Sequence, residues 1–77
     1  KEEVASITGE TALISQPDFQ VFKVEQKRIL ERDVRLKILK SAADPKDSKI
    51  SWVQVSVEEG RYAGQTGWIL SGMLKRR

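Results

Sequence analysis

The residues of this chain that are able to do chemistry are carboxylates, lysines and one tyrosine. The 77-residue sequence contains no His and no Cys, which excludes Ser-His nucleophiles, disulfides and zinc sites built from those ligands. Glu58 and Glu59 are adjacent in a predicted turn, and Asp44 and Asp47 share a predicted loop. Paired acids transfer protons only where burial shifts a pKa. We interpret both pairs as solvated loop charges and expect no enzymatic activity.

Two further patterns lack the spacing that metal or phosphate binding requires. The stretch from Asp44 to Asp47 places Lys46 between two acids, unlike the Asp-x-Asp-x-Asp-Gly spacing of a calcium loop. The stretch 60–67 carries three glycines, but it lacks the Lys-Ser/Thr pair of a phosphate loop. We interpret these glycines as hairpin residues with positive φ, and we predict neither a metal nor a cofactor.

The candidate ligand-binding residues are aromatic: Trp52 and Trp68, with Phe19 and Tyr62 as marginal additions. Outward aromatic rings on adjacent strands stack on a sugar, a base or a ligand side chain. The alternative is that both indoles pack beneath the long loop that precedes them, against Phe19 or Phe22. Both readings stay open at the level of sequence.

The stacking hypothesis makes a definite prediction about location and about mutation. A groove would lie between the loops at 15–30 and 41–49, with Trp52 as its floor. Replacing Trp52 with alanine would then abolish ligand binding and leave the fold intact. A large loss of stability would instead identify Trp52 as a core residue.

Positive charge is concentrated in one part of the sequence. The net charge is +3, and residues 23–40 hold seven bases against three acids. The candidate residues for an anionic partner, together with the basic tail 75–77, are Lys27, Arg28, Arg32, Arg35 and Lys37. Because acids interrupt the run, a solvated face is the simpler interpretation. Nucleic-acid binding is the second functional hypothesis, and a purely structural docking domain is the third.

The clearest predicted element is a hairpin formed by residues 52–57 and 66–70. Valines alternate along its first strand with period two, which is typical of an extended segment with one buried face. If Val53 faces Ile69, Trp52 faces Leu70 and Gln54 faces Trp68. This register keeps the valines on the core side and turns both indoles to the opposite face, whereas a slip of one residue would turn Ile69 outward.

The other elements are shorter. Residues 33–39 alternate as a strand, although the same stretch also fits a helix, so a helix within 25–40 is kept as an alternative. A first strand is predicted at 11–14, an extended piece at 19–24, and a single turn at 71–73 before a last strand. The predicted core consists of Leu13, Val34, Leu36, Ile38, Val53, Val55, Ile69 and Leu74.

The end of the chain is similar to a known family. The Trp52-Val53-Gln54-Val55 strand, a Gly-bearing loop and the run from Gly67-Trp68-Ile69 to Leu74 resemble bacterial Src-homology-3-type (SH3b) domains. The resemblance implies an accessory module that targets or regulates a larger protein, often by binding peptides or cell-wall material. In two respects the chain departs from the pattern. Arg32-Asp33 stands where a Gly often precedes the second strand, and 69–73 lacks the Pro and Tyr of polyproline-binding relatives.

Together these patterns predict an all-β fold, a small antiparallel five-stranded SH3-like barrel with one short helical turn near the C-terminus. Residues 1–8 are predicted to be a flexible N-terminal segment and 9–77 a single domain, monomeric in isolation. The chain begins with Lys rather than Met, so we expect it to be part of a longer protein. No apolar stretch approaches the length of a membrane-spanning helix.

Overall fold

The structure, a computed structural model, describes the backbone of residues 3–76 and the side chains of residues 3–75. Short strands dominate it, as the sequence predicts. In chain order the elements are β1 (Glu3–Ile7), β2 (Thr11–Ala12), α1 (Phe19–Val24), β3 (Ile29–Leu30), β4 (Arg35–Ala43), β5 (Ser51–Val57), β6 (Thr66–Leu70), a 3-10 turn (Ser71–Met73) and β7 (Leu74–Arg76).

Five of the strands form one antiparallel sheet in the order β6-β5-β4-β1-β7, and β2 pairs with β3 separately. The sheet curls around its core and is compatible with an SH3-like fold. The predicted all-β class, the five antiparallel strands and the short turn near the C-terminus are therefore confirmed. The sheet is open, with β6 and β7 at its two edges.

The predicted hairpin register is confirmed: Val53 pairs with Ile69, Gln54 with Trp68 and Trp52 with Leu70. The two faces of β5 consequently belong to different clusters. The valine face lies in the main core, and the indole face lies in a second cluster on the other side of the sheet. All eight predicted core residues belong to the main core or pack against it; the prediction missed Ile7, Leu30 and Val57.

The predicted flexible segment 1–8 is wrong for the residues that the structure describes there. Glu3–Ile7 forms β1, which lies between β4 and β7 in the sheet. Ala5 and Ile7 are completely buried, and Ala5 pairs with Leu36. The apolar residues of β1 are few and follow the charged residues 1–3, so the sequence pattern does not indicate a strand there. Lys1 and Glu2 lie outside the described residues.

The strand that the sequence predicts first, at 11–14, lies in the long segment between β1 and β4. We call this segment, residues 8–34, the excursion. Within it, Thr11 pairs with Leu30 in the small β2-β3 ribbon, and Ile14 makes an isolated bridge to Trp68 on β6. Residues 25–40 contain β3 and most of β4, so the helix that the sequence left open there does not form.

The extended conformation predicted for residues 19–24 is wrong, because this segment forms the helix α1. Asp18 caps its N-terminus by accepting a 2.9 Å hydrogen bond from the backbone N–H of Gln20. Phe19 and Phe22 are three residues apart, so they share one side of the helix and stack with ring centroids 5.8 Å apart. Local capping and this aromatic pair override the strand-like composition.

Strand β4 contains an irregularity that alternation alone does not predict. Ile38 pairs with Val55 and Lys40 with Gln54, so Leu39 is an extra residue in the ladder, a β-bulge. Without the bulge, Lys37 and Lys40 would point to opposite faces. With it, both residues lie on the outer face of the sheet.

Asp33, just before β4, has a positive φ of 68°. Glycine adopts this left-handed conformation freely, and Asp is among the few other residues that tolerate it. Asp33 therefore supplies the turn into β4 without a glycine.

Candidate functional site

The two indoles are core residues and do not form an open stacking surface. Trp52 has no exposed surface and Trp68 is 8% exposed. The ring of Phe22 on α1 lies 5.7 Å from that of Trp52, centroid to centroid. The predicted groove floored by Trp52 is therefore wrong, and the alternative arrangement, with the indoles beneath the loop, is the one formed. The excursion covers this face because α1 offers the apolar area that the indoles need.

Asp44 is the polar centre of this second cluster. Its Oδ2 accepts hydrogen bonds from Nε1 of Trp52 at 3.0 Å and from the backbone N–H of Phe19 at 2.9 Å, while Oδ1 accepts from the backbone N–H of Lys46 at 2.9 Å. Asp44 is buried, so its interpretation as a solvated loop charge is wrong. Asp47, in contrast, is exposed. One carboxylate thereby joins the loop after β4, the indole and the start of α1.

These hydrogen bonds give the domain an acid-sensitive contact. The indole N–H of Trp52, followed by the backbone N–H of Lys46, holds the pKa of Asp44 below its ordinary value, and burial opposes them. A carboxyl with a lowered pKa in the folded state stabilises the fold above its unfolded pKa. That contribution is lost as the pH falls through the folded pKa.

We expect Asp44→Asn to lower the urea midpoint of unfolding at pH 7, because the amide nitrogen cannot accept a hydrogen bond. The difference from the wild type should narrow as the pH falls from about 4, where the carboxyl of the unfolded chain takes up a proton, through the lowered pKa of Asp44 in the folded state. Urea titrations between pH 2 and pH 7 measure this, with Asp47→Asn on the same loop as the control. A difference that stays constant over the whole range would contradict the assignment.

An open cleft of about 220 Å³ lies between the excursion and the 3-10 turn. Its apolar wall contains Phe22 from α1, Ile29 from β3, Leu70 just before the turn and Met73 at the end of the turn. The rest of the lining consists of Glu10, Thr11, Ala12 and Gln26. The Gln26 side-chain amide donates to the backbone carbonyl of Phe22, which holds the end of α1 at the rim. Four of its eight lining residues, Phe22, Ile29, Leu70 and Met73, carry large apolar side chains.

The structure does not bring the four predicted ligand residues together in this cleft. Trp52 and Trp68 are buried, Phe19 stacks on Phe22 with the ammonium of Lys23 5.2 Å from its ring centre, and Tyr62 packs against the main core. Tyr62 also lines a smaller hollow of about 80 Å³ on the other side of Ile29. Sequence reasoning missed Ile29, Leu70 and Met73. The available signal was that apolar side chains recur at Ile69, Leu70 and Met73, close to the predicted turn at 71–73.

The predicted anionic-partner residues are divided between two regions. Arg28 is half-buried and links the excursion to the loop before β6, since its guanidinium donates a 3.0 Å hydrogen bond to Oε1 of Gln65. The guanidinium also lies 3.8 Å from Oε1 of Glu25. Lys27 and Arg32 are exposed on the excursion. Arg35 and Lys37 lie on β4, and Lys75 lies on β7. Arg77 and the side chain of Arg76 lie outside the described residues.

Among residues 3–75 no three acidic side chains converge as a metal site would require. No helix in the described chain is long and apolar enough to cross a membrane. No protein-family model, curated protein or solved structure matches this chain.

Proposed function

We propose that this domain is a non-enzymatic binding module of the SH3b type that takes a short peptide segment of a partner protein into the cleft beside the 3-10 turn. The observation that carries the proposal is the apolar wall of that cleft. Phe22, Ile29 and the pair Leu70 and Met73 come from three separate parts of the chain and line a concave surface. Within a longer bacterial protein, such a module would dock the remaining domains onto their target.

The size of the cleft favours a side chain over a whole small molecule. A pocket that buries a drug-sized ligand or a cofactor measures at least about 300 Å³, and this cleft measures about 220 Å³. One or two apolar side chains of an extended peptide fit that space. The cleft is less suited to binding a glycan, because sugars stack on exposed aromatic faces and both indoles are buried.

A matched pair of substitutions tests the site. Ile29 lies in the cleft lining, whereas Val24, which is 79% exposed, does not. Peptides selected from a random phage-displayed library should bind the wild type and Val24→Glu equally. They should bind Ile29→Glu about 10- to 100-fold more weakly, because one buried apolar side chain contributes about 1.5–3 kcal/mol. In ¹⁵N-resolved NMR titrations, the largest amide shifts should fall on Phe22, Ile29 and the 3-10 turn.

Three results would overturn the proposal. One is a selection that enriches no binding peptide. Another is a selected peptide whose affinity falls equally for Val24→Glu and Ile29→Glu. The third is co-sedimentation of the domain with purified cell-wall glycan without any peptide affinity, which would make the module a wall binder.

A further inference from the structure

A second surface, on the outer face of the sheet, combines positive charge from two distant parts of the chain, β4 and β7. The strand registers place Ser6 beside Arg35 and also beside Lys75, so that these two cations flank β1. Lys37 lies on the same face, two residues along β4, and the bulge at Leu39 returns Lys40 to it. Arg35, Lys40 and Lys75 are exposed, and Lys37 is half-buried.

The neighbours of these cations on the face are partly polar and partly apolar. Gln54 and Ser56 on β5 and Thr66 on β6 are polar and uncharged. Val4 on β1 pairs with Lys37, and Trp68 on β6 pairs with Gln54. No strand position on this face is acidic among the described residues. The nearest acid to Arg35 is Glu59, on the following loop, 4.0 Å from the Arg35 Nε. The face thus combines cations with hydroxyl and amide groups that can donate hydrogen bonds.

We infer that this face binds the phosphodiester backbone of a nucleic acid, independently of the cleft. With strands about 4.8 Å apart and about 3.3 Å per residue along each strand, the four cations span an area of about 10 by 15 Å. A phosphodiester backbone laid across this area can bring a phosphate to each of the exposed cations Arg35, Lys40 and Lys75. Contacts of this kind fix position without reading sequence.

The chemistry between the cations favours nucleic acid over an anionic membrane. Proteins that lie on a membrane bury an exposed apolar face in it. Here the apolar neighbours of the cations are not exposed, since Val4 is half-buried and Trp68 is buried, and the polar neighbours are serine, threonine and glutamine. Hydroxyl and amide groups are the neutral side chains that commonly contact phosphate and sugar. Base stacking adds nothing, because Trp68 is buried with the ammonium of Lys40 5.8 Å from its ring centre. Affinity should therefore be independent of sequence and strongly dependent on salt.

Two triple variants with equal charge change test the location. The first is Arg35→Gln, Lys40→Gln and Lys75→Gln, on the face. The second is Lys27→Gln, Arg32→Gln and Lys46→Gln, all exposed but elsewhere. Fluorescence anisotropy with a labelled 20-nucleotide oligo-dT measures affinity over a series of salt concentrations. For the wild type, log K against log salt should have a slope of about −2, as three phosphates of a single strand neutralised by the exposed cations imply.

The face variant should bind at least tenfold more weakly at low salt, with a slope less than half that of the wild type, while the second variant keeps most of its affinity. Equal weakening of both variants would show that net charge alone binds the probe and would overturn the inference. Absence of wild-type binding at low salt would overturn it too. So would binding to phosphatidylserine vesicles without binding to the oligonucleotide. Circular dichroism establishes that both variants are folded.

Discussion

Trp52→Ala is expected to destabilise the domain by about 3–5 kcal/mol, the range for removing a large buried aromatic side chain. A domain of this size has a total stability of roughly 4–12 kcal/mol, so the substitution should remove a large share of that stability and lower the urea midpoint strongly. The indole has no exposed surface. It is the residue on which Phe22 packs, and it donates a hydrogen bond to Asp44.

Urea unfolding followed by circular dichroism measures this loss of stability. Trp52→Phe separates the contribution of apolar packing from that of the hydrogen bond to Asp44. Phenylalanine keeps most of the apolar volume but lacks the N–H that Asp44 accepts, so its urea midpoint should lie between those of Trp52→Ala and the wild type. An alanine variant with the wild-type midpoint would restore Trp52 as a ligand-binding residue, because only an exposed indole can be removed without such a loss.

Gly67→Ala is expected to cost about 1–3 kcal/mol or more, although it adds only one methyl group. A Cβ at this position would lie 2.6 Å from Cγ of Leu13 and 2.8 Å from the carbonyl oxygen of Ile14. The Leu13 side chain is fully buried and the Ile14 carbonyl belongs to the bridge between the excursion and β6, so neither can move freely. Gly60 and Gly64 have the positive φ that the sequence predicts. For Gly67 that prediction is wrong, and the glycine is required instead for the close approach of two segments of the chain.

Gly72→Ala is the control, because a Cβ there meets no atom within 4 Å. Its urea midpoint should match that of the wild type. Adding Leu13→Ala to Gly67→Ala should recover little stability, since the backbone oxygen of Ile14 remains in the way and a buried leucine is lost. If Gly67→Ala proved as harmless as Gly72→Ala, the excursion would not be bound to β6 as closely as described.

The sequence by itself determined the β5-β6 hairpin, its register and the main core. Period-two alternation with β-branched residues leaves one workable register, because any slip exposes Ile69 and buries polar neighbours. The separation of the valines from the indoles follows from the same alternation. These features depend on residues that are neighbours in the chain and on the single loop 58–65 between β5 and β6. The local pattern was therefore sufficient to predict them.

Only the tertiary structure decided what covers the indoles and where the cleft lies. α1 has six residues, and a helix this short is unstable alone in water; its contacts with Trp52 and Asp44 supply the stability. β1 is likewise held by β4 and β7, whose residues are far from it in the chain. The cleft needs α1, β3 and the 3-10 turn together, and alternation within one segment carries no information about which distant segments meet.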